Sequence, residues 1–306
     1  MGNNPSVLRI FWTKFSADSV IIITGASMGI GKELAVRYAA RGSSLVLFSR
    51  NLTALETVAK ECQKTAEKNS KTCEVLCVAG DVTREEDCAR MVERAVERFG
   101  RIDLLVLNAG ITAHHPFSAD ADMRTFKKLL DVNFLGCVYC TKAAFPWLVD
   151  PDKRGEGGRK GKGKREKGQI LVISSMGGEL GAPLRTAYCA SKFALTGFFE
   201  ALRMEKGDKV DITIVCPPAV KTDFRKNAIG YSEEEEAERR RQHPEFFRKG
   251  NQDKRMAVEA AVDTIMLAAD KRARKVMFPL RAYVAVYVRP FIPDLIDPLL
   301  ISASKL

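Results

Sequence analysis

Hydrophobic and polar positions follow two rhythms along this chain. Short, almost continuously apolar runs recur near residues 19–24, 44–49, 73–79, 103–107, 169–174, 210–216 and 275–278. Val20-Ile21-Ile22-Ile23 and Ile170-Leu171-Val172-Ile173 lack the alternation of a strand with one wet face. Successive strand side chains point to opposite sides, so an unbroken apolar run suits a strand buried on both faces. Longer stretches of helical periodicity separate the runs. Strand and helix signals in steady alternation predict an α/β fold: one doubly wound domain with a parallel, seven-stranded sheet. A chain of 306 residues can bury one such core, and nothing in the pattern divides it.

The first strand run leads into Thr24-Gly25-Ala26-Ser27-Met28-Gly29-Ile30-Gly31, and a helix-like stretch, Lys32 to Arg41, follows. Strand, glycine turn and helix in that order describe a dinucleotide site. Glycines let the backbone approach a pyrophosphate, and the helix N-terminus supplies donors and positive potential. The spacing departs from G-x-G-x-x-G, with three residues rather than one between Gly25 and Gly29.

A second constellation lies in the other half of the chain. Tyr188 and Lys192 stand at i and i+4, which places them on one helix face about a turn apart. There the ammonium favours the phenolate electrostatically. A phenol so placed can give and take a proton, as interconversion of a ketone and an alcohol requires. Ser175 follows the run Ile170–Ile173, so its hydroxyl is expected at a strand tip, free to hold a substrate oxygen.

Together the two motifs resemble the short-chain dehydrogenase/reductase family, from roughly Ser19 to Asp270. The family's T-G-x-x-x-G-x-G falls on Thr24, Gly25, Gly29 and Gly31, with Ser27 and Ile30 inside it. Its N-A-G falls on Asn108, Ala109 and Gly110, and its adenine-facing Asp-Val pair on Asp81 and Val82. Its catalytic tetrad falls on Asn133, Ser175, Tyr188 and Lys192. The resemblance implies a Rossmann-type oxidoreductase in which Tyr188 is the proton donor and Ser175 grips the carbonyl. It also implies that Lys192 holds the ribose and that Asn133 anchors a water. One departure stands out: where the family reads Pro-Gly after the sixth strand, this chain has Pro217-Pro218. Pro218 fixes its own φ near −65° and drives Pro217 towards an extended conformation, so another path is expected for this loop. Val220 and Thr222 still match the positions that hold the carboxamide and phosphates in relatives.

The second strand ends in Ser49-Arg50-Asn51, with no acid to bind a ribose 2′-hydroxyl. A guanidinium there suits a 2′-phosphate, so the expected cofactor is NADP, with Lys32 as a second phosphate candidate.

Charge changes the picture less than its size suggests. The chain carries a net +11, but Lys153 to Lys167 alone holds eight basic and two acidic residues among five glycines. Such a segment, 151–168, is expected to be a disordered, solvated insert; without aromatic residues for stacking it does not point to nucleic acid. Eight scattered cysteines, including Cys137-Val138-Tyr139-Cys140 in an apolar stretch, are expected to be buried thiols in an intracellular compartment, and no metal site is expected. His114 and His115 border the mouth of the site or an exposed loop.

Residues 222–255 are expected to form a substrate lid. Met277 to Ile301 is apolar, but Arg281, Arg289, Asp294, Asp297 and four prolines argue against a membrane span. Three uses of this tail stay open: contact with a membrane surface, a roof over an apolar cleft, or a dimer contact, with a homodimer expected. Such a tail is similar to the hydroxysteroid-dehydrogenase branch, and the Pro-Pro is similar to 3-ketodihydrosphingosine reductases; both imply a bulky, lipid-like carbonyl. Reduction of 3-ketosphinganine or of acyl/alkyl-dihydroxyacetone phosphate is the alternative, and an NADPH-binding regulator the non-enzyme reading. Ser304-Lys305-Leu306 is the tripeptide read by the peroxisomal import receptor, so a peroxisomal address is expected, with the endoplasmic reticulum, another membrane surface or the cytoplasm as alternatives.

Overall fold

The structure, a computed structural model, describes residues 15, 19–119, 121–150, 167–225, 228, 229, 234, 237, 238, 241, 244 and 255–304. Seven strands form one parallel sheet: β1 (Val20–Thr24), β2 (Ser44–Ser49), β3 (Val75–Ala79), β4 (Leu104–Leu107), β5 (Gly168–Ile173), β6 (Val210–Cys216) and β7 (Lys275–Met277). Their order is β3-β2-β1-β4-β5-β6-β7. The order reverses between β1 and β4, and in such sheets that is where a crevice opens beyond the strand C-termini.

The continuous apolar runs have the cause their pattern suggests. Ile21, Ile23, Leu45, Leu47, Leu104 and Val106 pack on one face with α1 (Gly29–Ala40), α2 (Leu52–Lys68) and α7 (Val258–Asp270). Their neighbours Ile22, Val46, Phe48, Leu105 and Leu107 pack on the other with α3 (Glu85–Phe99), α5 (Gly136–Val149) and α6 (Thr186–Lys206). Each strand therefore serves two cores, and burying a Leu or Ile side chain contributes about 1.5–3 kcal/mol on either face.

Two boundaries differ from expectation. β3 begins at Val75 rather than Cys73, whose thiol is turned to the Ser43 carbonyl oxygen at 3.0 Å instead. Gly168, expected in the basic insert, opens β5, where a Cβ would lie 2.5 Å from the Leu148 carbonyl oxygen. Residues 151–166 of that insert, and most of the expected lid 222–255, lie outside the described residues.

Between α4 (Met123–Leu130) and α5 the helix takes one π-helical turn, Asp131–Leu135. The chain closes in α8 (Arg281–Val288) and α9 (Pro293–Ser304). Ala282, Tyr283 and Val286 dock α8 on the second core, while Leu280, Val284, Tyr287 and Phe291 form an exposed stripe at helical spacing.

Candidate active site

The turn after β1 is built by steric exclusion. Gly25 and Gly29 have φ of +65° and +58°, a region side chains rarely adopt. A Cβ on Gly31 would collide with the Gly25 carbonyl oxygen and lie 2.5 Å from Asn108 Nδ2. Asn108 is the brace: its Nδ2 donates to the carbonyl oxygens of Thr24 (3.0 Å) and Gly25 (3.1 Å). Buried Thr24 answers it, its Oγ1 accepting from Asn108 N at 3.0 Å and Ala109 N at 3.1 Å while donating to Val106 O. Ser27 and Ile30 are half-buried beside this turn. These groups clamp β1 to β4 and leave a cradle that a Cβ would fill, which fits a pyrophosphate at the start of α1.

Further along the crevice, Asp81 Oδ1 accepts from Thr83 N and Oγ1, both at 2.9 Å, and Asp87 Oδ2 accepts from Asp81 N at 2.9 Å. That backbone hydrogen bond, ahead of the nearby Arg90 guanidinium, holds the Asp87 carboxyl below its usual range. Val82 meets α5 at Gly136, where a Cβ would come within 2.9 Å of it.

At the end of β2 the three expected cofactor residues part company. Asn51 caps α2, its Oδ1 accepting from Ala54 N at 3.0 Å. The Ser49 hydroxyl turns to Asn51 O at 3.5 Å. Arg50 is exposed and makes no hydrogen bond or ion pair among the described residues. Lys32, the second phosphate candidate, pairs instead with Glu61 at 2.8 Å.

The four expected catalytic residues come from three places: the π-helical turn, the end of β5 and α6. Asn133, fully buried in the π-helical turn, accepts from Ile111 N (2.8 Å) and donates to Ile111 O (3.0 Å) and Ser191 Oγ (2.9 Å). Its amide is therefore occupied in tying β4's exit loop to α6, which makes the side chain a brace. Lys192 is buried, with Nζ donating to Ile173 O at 3.0 Å, and a Cβ on Gly110 would come within 3.8 Å of that nitrogen. Ser175 Oγ accepts from Gly177 N at 3.0 Å, fixing the hydroxyl just past β5. Gly177 in turn lies under the Tyr188 ring, where a Cβ would sit 3.1 Å from Cε1. The Tyr188 ring is buried, packing with Ala113, Leu129 and Ala187.

The Pro217-Pro218 departure is accommodated by backbone pairing. Met176 N donates to Pro217 O at 3.0 Å, and Ala219 and Lys221 bond to Met256 on either side of Val220. Thr222 thus still reaches the glycine turn, since a Cβ on Gly29 would lie 3.3 Å from its Cγ2.

The cysteines take no part in this chemistry. All eight are free thiols, and Cys140 Sγ meets Cys88 at 3.4 Å rather than Cys137. Burial raises the Cys216 thiol to about 12 and the Cys137 thiol to about 11. No cluster of metal-ligating side chains occurs among the described residues. Sequence reasoning missed one charged neighbour: the half-buried Arg185 guanidinium lies 5.7 Å from the centroid of the Tyr188 ring.

A Rossmann sheet, a glycine cradle and a Tyr-xxx-Lys helix with a strand-tip serine define a nicotinamide-dependent oxidoreductase of the ketone/alcohol class. The sequence pattern of the short chain dehydrogenase family matches residues 19–231, and the chain belongs to that family. It is 34% identical over 290 residues to an 11-beta-hydroxysteroid dehydrogenase of Pinus massoniana, covering 95% of this chain and 75% of that one. It is 39% identical over 218 residues to 11-beta-hydroxysteroid dehydrogenase 1A of Arabidopsis thaliana, covering 70% of this chain but only 57% of that longer relative. Among solved structures, a short chain dehydrogenase/reductase from Burkholderia phymatum in complex with NAD superposes with TM-score 0.73 at 22% identity, covering 92% of this chain and 96% of that one. An alcohol dehydrogenase from Thermococcus sibiricus complexed with 5-hydroxy-NADP gives TM-score 0.66 at 23% identity, covering 85% and 95%. These two structures share the fold, and their differing nucleotides leave coenzyme choice to the residues of this chain.

Proposed function

We propose that this chain is an NADP(H)-dependent oxidoreductase that interconverts a ketone and a secondary alcohol on a lipid-like or steroid-like substrate, with Tyr188 as general acid and base. The observation that carries this reading is the junction at Gly177, which joins the Ser175 hydroxyl to the Tyr188 ring one helical turn from Lys192. The names of the hydroxysteroid dehydrogenase relatives support the substrate class. Arg50, without a partner among the described residues and at a strand end that lacks an acid, supports NADP over NAD.

A nicotinamide cofactor held at the glycine turn after β1 would supply the hydride to the carbonyl carbon in reduction and would take it from the carbinol carbon in oxidation. Ser175 donates a hydrogen bond to the carbonyl oxygen, and that bond strengthens as negative charge develops there. Tyr188 gives its phenolic proton to the same oxygen in reduction and takes it back in oxidation. Lys192 contributes the positive charge that favours the phenolate left behind. Asn133 keeps α6 in register with the Gly110 loop, so that Tyr188 and Lys192 face the crevice at a fixed depth. A reductase for 3-ketosphinganine or acyl/alkyl-dihydroxyacetone phosphate uses the same steps on a different ketone.

Tyr188→Phe tests the assignment because it keeps the ring and removes the proton. Turnover of a ketone panel with NADPH should fall by about 10²–10⁴-fold, with NADPH binding by nucleotide fluorescence retained. Full activity in that variant would refute the tetrad assignment. Ser304-Lys305-Leu306 supports a peroxisomal address, although Lys305 and Leu306 lie outside the described residues. A fusion with an N-terminal fluorescent tag should coincide with a peroxisomal marker and become diffuse when the tripeptide is deleted; a reticular pattern in both would refute import.

A further inference from the structure

Three charged side chains meet where the Ser175 turn, α6 and the edge strand β7 come together. Lys275 on β7 reaches Glu179, which follows the turn that begins at Ser175: its Nζ donates to Oε1 at 3.0 Å and to Oε2 at 3.1 Å. The same ammonium pairs with Glu200 on α6, the helix that carries Tyr188 and Lys192. Cys216, which ends β6, adds its thiol, donating to Glu179 Oε1 at 3.6 Å. We infer that Lys275 is a positioning residue for the reaction, one that ties the Ser175 turn to α6 and so sets the Ser175 hydroxyl against the Tyr188 phenol. This role rests on the ketone/alcohol reading above and adds to it a residue far along the chain from the four expected catalytic ones.

The turn is held to α6 at two places. At Gly178 the contact is steric, since a Cβ there would lie 2.9 Å from both the Lys192 carbonyl oxygen and Thr196 Oγ1. At Glu179 it is ionic, through Lys275 to Glu200. One contact at a glycine would let the short 3₁₀ turn Met176–Gly178 pivot, and a second beside it removes that freedom. The serine hydroxyl follows the turn, because its Oγ accepts from Gly177 N at 3.0 Å. Tyr188 and Glu200 share one helix, so a turn fixed to Glu200 is fixed relative to the phenol as well. The base of the bridge is itself anchored: Lys275 pairs with Ile214 of β6, and Arg203 on α6 donates to the Arg274 carbonyl oxygen at 2.7 Å.

Charge at this depth is costly. The Lys275 and Glu179 side chains are only 20% and 10% exposed, and a buried ion pair often stabilises no more than apolar side chains of the same volume. What the cluster supplies is a defined arrangement, because an ammonium that must reach carboxylates on two elements admits few relative placements of those elements. Burial alone would lower the Lys275 pKa, but its hydrogen bonds to Glu200 and Glu179 outweigh burial and hold it above the usual lysine range. The bridge is therefore charged at neutral pH.

Paired substitutions at Lys275 and Ser175 in the full chain test this role. Lys275→Met keeps much of the side chain's length and removes its charge. With NADPH and a ketone panel, kcat should fall about tenfold while NADPH affinity by nucleotide fluorescence stays near wild type, and Lys275→Arg should restore most of the loss. In a Ser175→Ala background, Lys275→Met should cost no more than about twofold further, because a hydroxyl that is gone cannot be misplaced. Hydrogen exchange gives a readout that needs no turnover. The Gly177 amide should exchange about tenfold faster in Lys275→Met, while the amides of β1 keep their wild-type rates. Should Lys275→Met not fold, Glu200→Gln removes only the α6 end of the bridge, at a side chain 42% exposed, and should move kcat and the Gly177 rate in the same directions. Losses that multiply in the double variant, an unchanged kcat, or an unchanged Gly177 rate would each overturn the positioning role while sustaining the oxidoreductase. If wild-type protein turns over no ketone, the oxidoreductase reading falls and the Gly177 rate alone decides the bridge: faster exchange upholds it, and an unchanged rate overturns it.

Discussion

The nucleotide half and the substrate half of the crevice are built from different materials. Around β1, close approach of backbone to backbone makes the site: Gly31 against the Gly25 carbonyl, Gly29 against Thr222, and Asn108 spanning both strands. Around the start of α6, side chains make it: Ser175 held by Gly177 N, Tyr188 packed on Gly177, and Arg185 on Tyr188. Backbone-built sites admit few sequences, whereas side-chain-built sites can be retuned by substitution. That difference explains how one nucleotide scaffold serves many substrates.

Substitutions can break this contrast, and the largest effect belongs to the backbone side. A Cβ at Gly31 meets a carbonyl oxygen and the Asn108 amide, neither of which can yield without parting β1 from β4. Gly31→Ala should therefore abolish measurable NADPH binding and cost about 1–3 kcal/mol in denaturant unfolding, in line with overpacking elsewhere. Normal nucleotide affinity in that variant would mean that the turn is more pliant than its contacts imply.

Gly177→Ala is the matching experiment on the other side. There the added Cβ meets a ring edge at 3.1 Å, which can move by a few tenths of an ångström. NADPH affinity should stay near wild type while kcat drops by about tenfold, because a displaced phenol is a misaligned acid. Equal loss of binding and turnover would erase the distinction between the halves.

The smallest expected effect concerns the nucleotide's 2′ position. Arg50→Asp would remove the proposed phosphate partner and add repulsion, so the NADPH/NADH ratio of kcat/KM should fall severalfold. If the ratio holds, Lys32 is a weak fallback, since Glu61 already engages it.

Much of this architecture was legible from residue order alone. Continuous apolar runs located all seven strands because both faces of the sheet are covered, and i, i+4 spacing placed Tyr188 and Lys192 on one helix, whereas Asn133 was marked only by the family resemblance. What escaped was set by neighbours distant in sequence. Cys73 looked like the start of β3 but is drawn to Ser43 O, thirty residues away. Asn133 carries a role that residue order does not show, its side chain bracing Ile111 against Ser191. Asn51, expected beside the ribose phosphate, also caps α2. Arg185 gave one faint signal, its position three residues before Tyr188, which places it a helical turn away on the same side.

The π-helical turn at Asp131–Leu135 has one more implication, which is a matter of phase. One surplus residue shifts everything upstream by about 100° around the helix axis relative to an unbroken α-helix. Leu129 and Phe126 on one side of the step belong with the Tyr188 ring, whereas Cys137, Cys140 and Ala144 on the other belong to the sheet. Excising a single codon here would leave every side chain but one in place on paper. It would nonetheless turn one of these two faces away from its partner, so the length of this segment governs the packing around Tyr188 as much as its composition does.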